Sequence, residues 1–246
     1  MIAIFGSSHD DILYFENVLQ NKSEIKVLER FPAYLGTLFN QDVIVVSDLS
    51  TSLVASLVTN QILNDYAIDL VINVGRCIGV DRKNNTGDVV ISTHIIDGDV
   101  DLASEHIVTR FELPGFNNKI AVQKDIIEYM EKGIKKRPFV TYHRALFVST
   151  DNYSLENLTF LDKNGNYLKE DEEKIVFDHN SMGIILSCFL KGVPALAIKV
   201  IENKYDKERN IDTYLKVLQR YIDLGKAVAA TIGDVGRNDI LDKKGY

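Results

Sequence analysis

The residues able to do chemistry are gathered in four stretches. Asp10-Asp11 follow a short apolar strand, Ile2–Phe5, and the turn Gly6-Ser7-Ser8. Asp69–Ser92 reads DLVINVGRCIGVDRKNNTGDVVIS: an apolar run, Leu70–Val74, reaches a glycine turn, Gly75–Gly79, and a polar loop leads to Gly87-Asp88 and a second apolar run. Phe177-Asp178-His179-Asn180 open an apolar segment, and Glu202-Asn203 close the apolar run Ala195–Ile201. A buried strand ending in a glycine turn is where α/β proteins place ligands. Within that turn the guanidinium of Arg76 can hold an anion such as phosphate, fill a pocket, or pair with Asp11. Each group also has a plain structural reading. Asp10 and Asp11 complement a helix dipole, Asp178–Ser181 suit a helix N-cap, and Glu202, Lys204, Asp206 and Lys207 suit a solvated loop. His9, His94, His106, His143 and His179 lack HxxxH or HxH spacing, so the reading includes no metal and no cofactor.

These groups need elements to position them. Ile2–Phe5 reads as a strand and Asp10–Leu19 as a helix, with Ile12, Leu13, Phe15 and Leu19 near helical spacing. Ile25–Phe31, Tyr34–Phe39 and Asp42–Ser47 read as strands, the last two joined by a hairpin around Asn40-Gln41. Thr51–Leu63 reads as a helix, Asp69–Val74 and Gly87–Asp97 as strands, and Ile120–Gly133 as an amphipathic helix. His143–Ser149 and Lys174–Asp178 are expected strands. Ser181–Leu190 is an apolar helix stopped by Lys191-Gly192-Val193-Pro194. Ala195–Ile201 is a buried strand and Thr213–Ile232 a final long helix. Asn157–Glu173 is polar and reads as a surface excursion near the site. The alternation predicts an α/β fold: a three-layer sandwich with a mixed central β-sheet flanked by helices. No repeat or proline-rich linker divides residues 1–246, so one domain is expected.

Composition narrows the function classes. The chain has 246 residues, 46% of them hydrophobic, enough for one large core. A net charge of −7 and only a short basic cluster, 132–137, argue against a nucleic-acid footprint. No run approaches the roughly 20 apolar residues of a membrane helix. The start, MIAIFGSSHDD, has no basic n-region or apolar h-region of a signal peptide. Cys77 and Cys188 form no metal pattern and suit a reducing compartment. A cytoplasmic protein is expected.

Four segments together resemble the nucleoside phosphorylase/nucleosidase superfamily: MIAIFGSSHDD, VINVGRCIG…GDVVIS, DGDVD…ELPG, and ALFVSTDNY…VFDHNSMG…VPALAIKVIENKYD. Their order and spacing are most similar to the bacterial 5'-methylthioadenosine/S-adenosylhomocysteine nucleosidases. The resemblance implies a mixed-sheet α/β homodimer that cleaves the N-glycosidic bond of a nucleoside with water or phosphate. Such cleavage needs a carboxylate near the cationic sugar, an acid at the leaving purine, and a group that positions water.

Residue by residue, the resemblance puts the water-activating carboxylate at Asp11, one methylene shorter than the family's glutamate. Phe177-Asp178-His179-Asn180 match the ribose-binding VEME motif, with an amide at Asn180 in place of the second glutamate. Asn203 takes the position of the catalytic acid, with Glu202 in place of the serine before it; Glu202 can act instead if the register slips by one. Arg76 replaces a serine near ribose or phosphate, and Ile78 replaces a glycine. The family's GIGK turn reads Asp48-Leu49-Ser50-Thr51. Tyr153 matches an aromatic that stacks on the base, Pro114 a proline that lines the partner's pocket, and Asp97 and Asp99 acidic positions near that interface. The leading expectation is hydrolysis of a purine nucleoside. The alternatives are a phosphate-dependent phosphorylase, favoured by Asn203 with Arg76, and a catalytically silent homologue that binds a nucleoside or a protein. The combined changes at Asp11, Arg76, Asn180 and Asn203 motivate the last.

Overall fold

The computed structural model describes residues 1–79, 85–100, 119–136, 141–151, 174–204 and 211–235. Its elements are β1 (Ile2–Gly6), α1 (His9–Val18), β2 (Gln20–Val27), β3 (Phe31–Leu38), β4 (Gln41–Val46), α2 (Ser52–Asp65), β5 (Leu70–Gly79), β6 (Val89–Asp97), β7 (Ile120–Ala121), α3 (Lys124–Lys135), β8 (Tyr142–Ser149), β9 (Lys174–Asp178), α4 (Ser181–Leu190), β10 (Ala195–Lys204) and α5 (Ile211–Val235). All ten strands join one mixed sheet in the order β10-β6-β8-β9-β5-β1-β4-β3-β2, with β7 on β6 and a further pairing of β10 with β5. Helices α1, α3 and α5 pack together, as do α2 and α4. The predicted sandwich of helices around a mixed sheet is the observed architecture.

Strand β5 organises the sheet. Its first half pairs in parallel with β1 from Leu70 to Val74, and from Val71 to Gly79 it lies along β10. At Ile78 and Gly79 it also pairs with β9, antiparallel. Strands β5, β10, β6, β8 and β9 therefore close into a ring. The expected glycine turn after Val74 is not a turn: the chain stays extended through Gly79. Ladders on both edges hold it, and long-range pairing of that kind leaves no local signal in the sequence.

The β3–β4 hairpin turns at Phe39 and Asn40, both with positive φ (50° and 68°), the twist that two-residue hairpins need. Strand β2 begins five residues before the expected start. Gln20–Glu24 are all exposed, so they lack the apolar alternation that marks a half-buried strand. Ile120 opens the two-residue strand β7 against β6 rather than the amphipathic helix, which starts at Lys124. Strand β10 runs on to Lys204, three residues beyond the apolar run, because β5 continues beside it. The excursion at 157–173 lies outside the described residues.

Candidate active site

Asp11 sits in the first turn of α1, just past the carboxyl end of β1, and its side chain is fully buried. Its Oδ2 accepts from Ser7 Oγ (2.7 Å) and from the backbone N–H of Ser8 (2.9 Å). These bonds satisfy one orphan donor of the helix and fix the carboxylate plane. Its Oδ1 has no hydrogen-bond partner among the described residues. The neighbouring strand makes room at Gly75: φ is +138°, and a Cβ there would lie 2.9 Å from Asp11 Oδ2. Glycine is needed for both reasons.

Arg76 crosses this site. Its Nη2 donates to Ser8 Oγ at 2.8 Å, and its Nε lies 3.4 Å from Asp11 Oδ1. Its Nη1 is 3.5 Å from Glu202, and Asp10 is 3.9 Å from Nη2. The guanidinium lies over the ring of Tyr221, 5.6 Å from the centroid. Burial works against its charge, but Asp11, Tyr221, Glu202 and Asp10 outweigh burial and raise its pKa. Of the readings open at Arg76, the structure shows the pairing with Asp11.

Glu202 owes its direction to an irregularity in β10. The β10–β5 register passes from Ile201↔Cys77 to Asn203↔Ile78, leaving Glu202 as the extra residue. A bulge of this kind re-aims a side chain, and Glu202 turns into the Arg76 cluster with its side chain 13% exposed. The solvated-loop reading of Glu202 is thus overturned. Asn203 is in the strand beside Ile78.

A second polar group lies at the joint of β5, β9, β10 and α4. Lys199, in the middle of an apolar strand, is 1% exposed and forms a 2.6 Å ion pair with the fully buried Asp178. Its Nζ also donates to Asn180 Oδ1 at 2.6 Å. Asn73 Nδ2 donates to the same oxygen (3.0 Å) and to Ser181 Oγ (2.9 Å). Asn180 Nδ2 donates to the carbonyl of Leu49 (2.9 Å), and Ser181 Oγ donates to Asp178. Asn180 occupies the N-cap position of α4, but its side chain makes no cap bond. Beside it, His179 donates from Nδ1 to the Thr150 carbonyl at 2.9 Å. Burial is the largest cause lowering the His179 pKa; the Thr150 contact opposes it, and Lys199 adds to it.

The structure therefore brings Asp11, Arg76 and Glu202 together, and joins Asp178 to Asn180. Phe177 is 2% exposed in an apolar cluster with Ile96, Leu146 and Val148. Tyr153 and Pro114 lie outside the described residues. Sequence reasoning missed Lys199, Asn73 and Tyr221. Lys199 carried a usable signal, since a lysine flanked by Ile198 and Val200 in a buried strand requires a buried partner. A cleft of about 480 Å³ lies between α3 and α5 and shares no lining residue with the Arg76 cluster. Its Lys136 is paired with Asp234.

An acidic cluster past the carboxyl ends of parallel strands, in a mixed sheet flanked by helices, stands where α/β sandwiches bind ligands. The model of the phosphorylase superfamily matches residues 1–232, and the chain belongs to that superfamily. It is 23% identical over 215 residues, 85% of this chain and 88% of its relative, to a 5'-methylthioadenosine/S-adenosylhomocysteine nucleosidase of an Exiguobacterium species. It is 24% identical over 217 residues, again 85% and 88%, to that of Anoxybacillus flavithermus. Among solved structures, the Neisseria meningitidis nucleosidase in complex with methylthio-immucillin-A superposes with a TM-score of 0.81 at 21% identity, covering 95% of this chain and 98% of that one. A futalosine hydrolase mutant of Helicobacter pylori gives 0.77 at 15% identity, with the same coverage.

Proposed function

We propose that the protein hydrolyses the N-glycosidic bond of a purine nucleoside, with 5'-methylthioadenosine or S-adenosylhomocysteine as the first candidates. The observation that carries this reading is the Asp11 carboxylate. One oxygen is pinned by Ser7 and Ser8, and the other is buried, faces Arg76 Nε at 3.4 Å and has no hydrogen-bond partner among the described residues. Asp11 orients a water and takes its proton as the bond to the sugar forms. Glu202, turned inward by the bulge, supplies the acidic proton that Asn203 cannot supply as an amide. Tyr153 stacks on the base, and Pro114 of a second copy closes the pocket in a cytoplasmic homodimer. Exposed Leu53 and Leu57, one turn apart on α2, suit such pairing.

Water is favoured over phosphate by charge. Asp10, Asp11 and Glu202 all approach Arg76 within 3.9 Å, so the one guanidinium is already outnumbered. A phosphate placed there meets carboxylates rather than a free cation.

A silent nucleoside-binding homologue is the second reading, and Asn180 favours it. Its Oδ1 already accepts from Lys199 and Asn73, which leaves little capacity to accept from a ribose diol. Chromatographic measurement of base release from 5'-methylthioadenosine, S-adenosylhomocysteine, adenosine, inosine and uridine, with and without phosphate, separates the readings. Phosphate-independent release of adenine supports hydrolysis. Release only with phosphate supports a phosphorylase, and thermal stabilisation by a nucleoside without release supports the silent homologue.

A further inference from the structure

Breaking the bond between a sugar and a base sends the bonding electron pair out with the base. A neutral base then needs a proton in the transition state, and the groups at this site are poorly suited to give one. Asn203 is an amide, which donates a hydrogen bond but no proton. Glu202 is turned in by the bulge but lies 3.5 Å from Arg76 Nη1. A guanidinium at that range favours the carboxylate over the acid, so Glu202 delivers a proton only by giving up that pair. The ring of Tyr221 lies under Arg76, and its hydroxyl has no hydrogen-bond partner among the described residues. Burial is the main cause that pushes its pKa up, and Asp11 and Glu202 add to it against Arg76, so the phenol keeps its proton. His179 commits its Nδ1 proton to the Thr150 carbonyl, and burial above all lowers its pKa, so its ring is neutral at neutral pH. The same surroundings suit a positive charge. Asp10, Asp11 and Glu202 face one guanidinium within 3.9 Å, and the fully buried Asp11 side chain has an oxygen, Oδ1, with no hydrogen-bond partner among the described residues. Such a cluster attracts a cation and repels an anion.

We propose that the site prefers a nucleoside whose base already carries a positive charge on a ring nitrogen, such as a purine alkylated at N7. The inference rests on the hydrolytic reading above and narrows its substrate. With such a base the electron pair of the breaking C–N bond neutralises the ring, so the base leaves uncharged and needs no acid. The water oxygen bonds to the anomeric carbon, and Asp11 takes one water proton and passes it to solvent. The products are the free sugar, the neutral base and one proton, so no further reactant is needed. Glu202 stays a carboxylate throughout, as a counter-charge for the ring.

The test uses the full wild-type chain with guanosine and N7-methylguanosine, in mildly acidic, phosphate-free buffer where the methylated base is a cation. With the spontaneous cleavage of each nucleoside subtracted, kcat/KM should favour N7-methylguanosine by at least about a hundredfold, the usual worth of the acid that guanosine needs and the methylated base does not. Binding is read separately by calorimetry, with 7,9-dimethylguaninium and 9-methylguanine, which have no glycosidic bond to break. The cation should bind more tightly by about tenfold or more, the scale on which a neighbouring opposite charge shifts an equilibrium. Glu202→Gln should lose most of that preference. Equal cleavage of the two nucleosides, or equal binding of the two bases by the wild type, overturns the proposal. No base release from either nucleoside, with the binding preference intact, overturns the hydrolytic reading instead and leaves the preference for a cation standing.

Discussion

Replacing Lys199 by methionine should unfold the protein far more easily, and the size of the effect can be worked out from its surroundings. Lys199 and Asp178 form a 2.6 Å pair in which both side chains are at most 1% exposed. Among the described residues the Asp178 carboxylate otherwise accepts only from the Ser181 hydroxyl, and its Oδ1 has no hydrogen-bond partner. Methionine conserves most of the lysine stem but leaves that carboxylate buried without its counter-charge. Breaking a buried pair from one side costs about 3–5 kcal/mol. A domain of this length loses about 2–4 °C per kcal/mol, so the melting temperature should drop by roughly 6–20 °C. Urea denaturation followed by circular dichroism, with a thermal scan, measures both quantities. The double variant Asp178→Asn with Lys199→Met removes both charges and should recover part of the loss, since the penalty comes from the stranded carboxylate. A loss under about 1 kcal/mol, the size expected of an exposed pair, would refute the reasoning. So would a double variant no more stable than the single one.

Gly75→Ala should cost roughly 1–3 kcal/mol through strain at φ +138°. It should also lower any turnover, because the new Cβ would press on Asp11 Oδ2; denaturation and base release on the same preparation check both. His179 has a folded pKa below its ordinary 6.5, chiefly through burial. The unfolded chain then binds the extra proton first, so this stabilising contribution is present above pH 6.5 and is lost as pH falls toward the folded value. Melting temperatures between pH 7.5 and 5 should decline less steeply in His179→Gln than in the wild type. Cys77 and Cys188 are buried thiols, the latter with its pKa pushed up to about 12. Neither should react with iodoacetamide under native conditions, and labelling of either within minutes, read by mass spectrometry, would contradict their burial.

Most of the frame was legible because periodicity carries it. Helices α1, α2, α4 and α5 fall within a few residues of their apolar spacing, and the β3–β4 hairpin was marked by Asn40. What the sequence hid depends on distant partners. Nothing local says that β5 stays extended past Gly75, since β10 and β9 hold it there. Without that continuation Glu202 reads as loop, and the bulge that turns it toward Arg76 cannot be foreseen. Asp11 and Arg76 were legible as residues of interest, but their pairing is a fact of the fold. Tyr221 lies among Val217, Leu218 and Leu224 at helical spacing and reads as core; only the unpartnered state of its hydroxyl sets it apart. The resemblance placed Asn180 at the ribose, whereas its amide oxygen is engaged by Lys199 and Asn73, neither of which the motif includes.

The central claim is that the Asp11 carboxylate directs water at a nucleoside. The most direct measurement is adenine release from 5'-methylthioadenosine in phosphate-free buffer, comparing the wild type with Asp11→Asn. That variant keeps the size of the side chain and an oxygen to accept from Ser7 and Ser8, but removes the base. The account predicts phosphate-independent release by the wild type and a loss of at least about a hundredfold in the variant, the usual contribution of a positioned general base. Equal rates in the two proteins, or release only when phosphate is added, would contradict it.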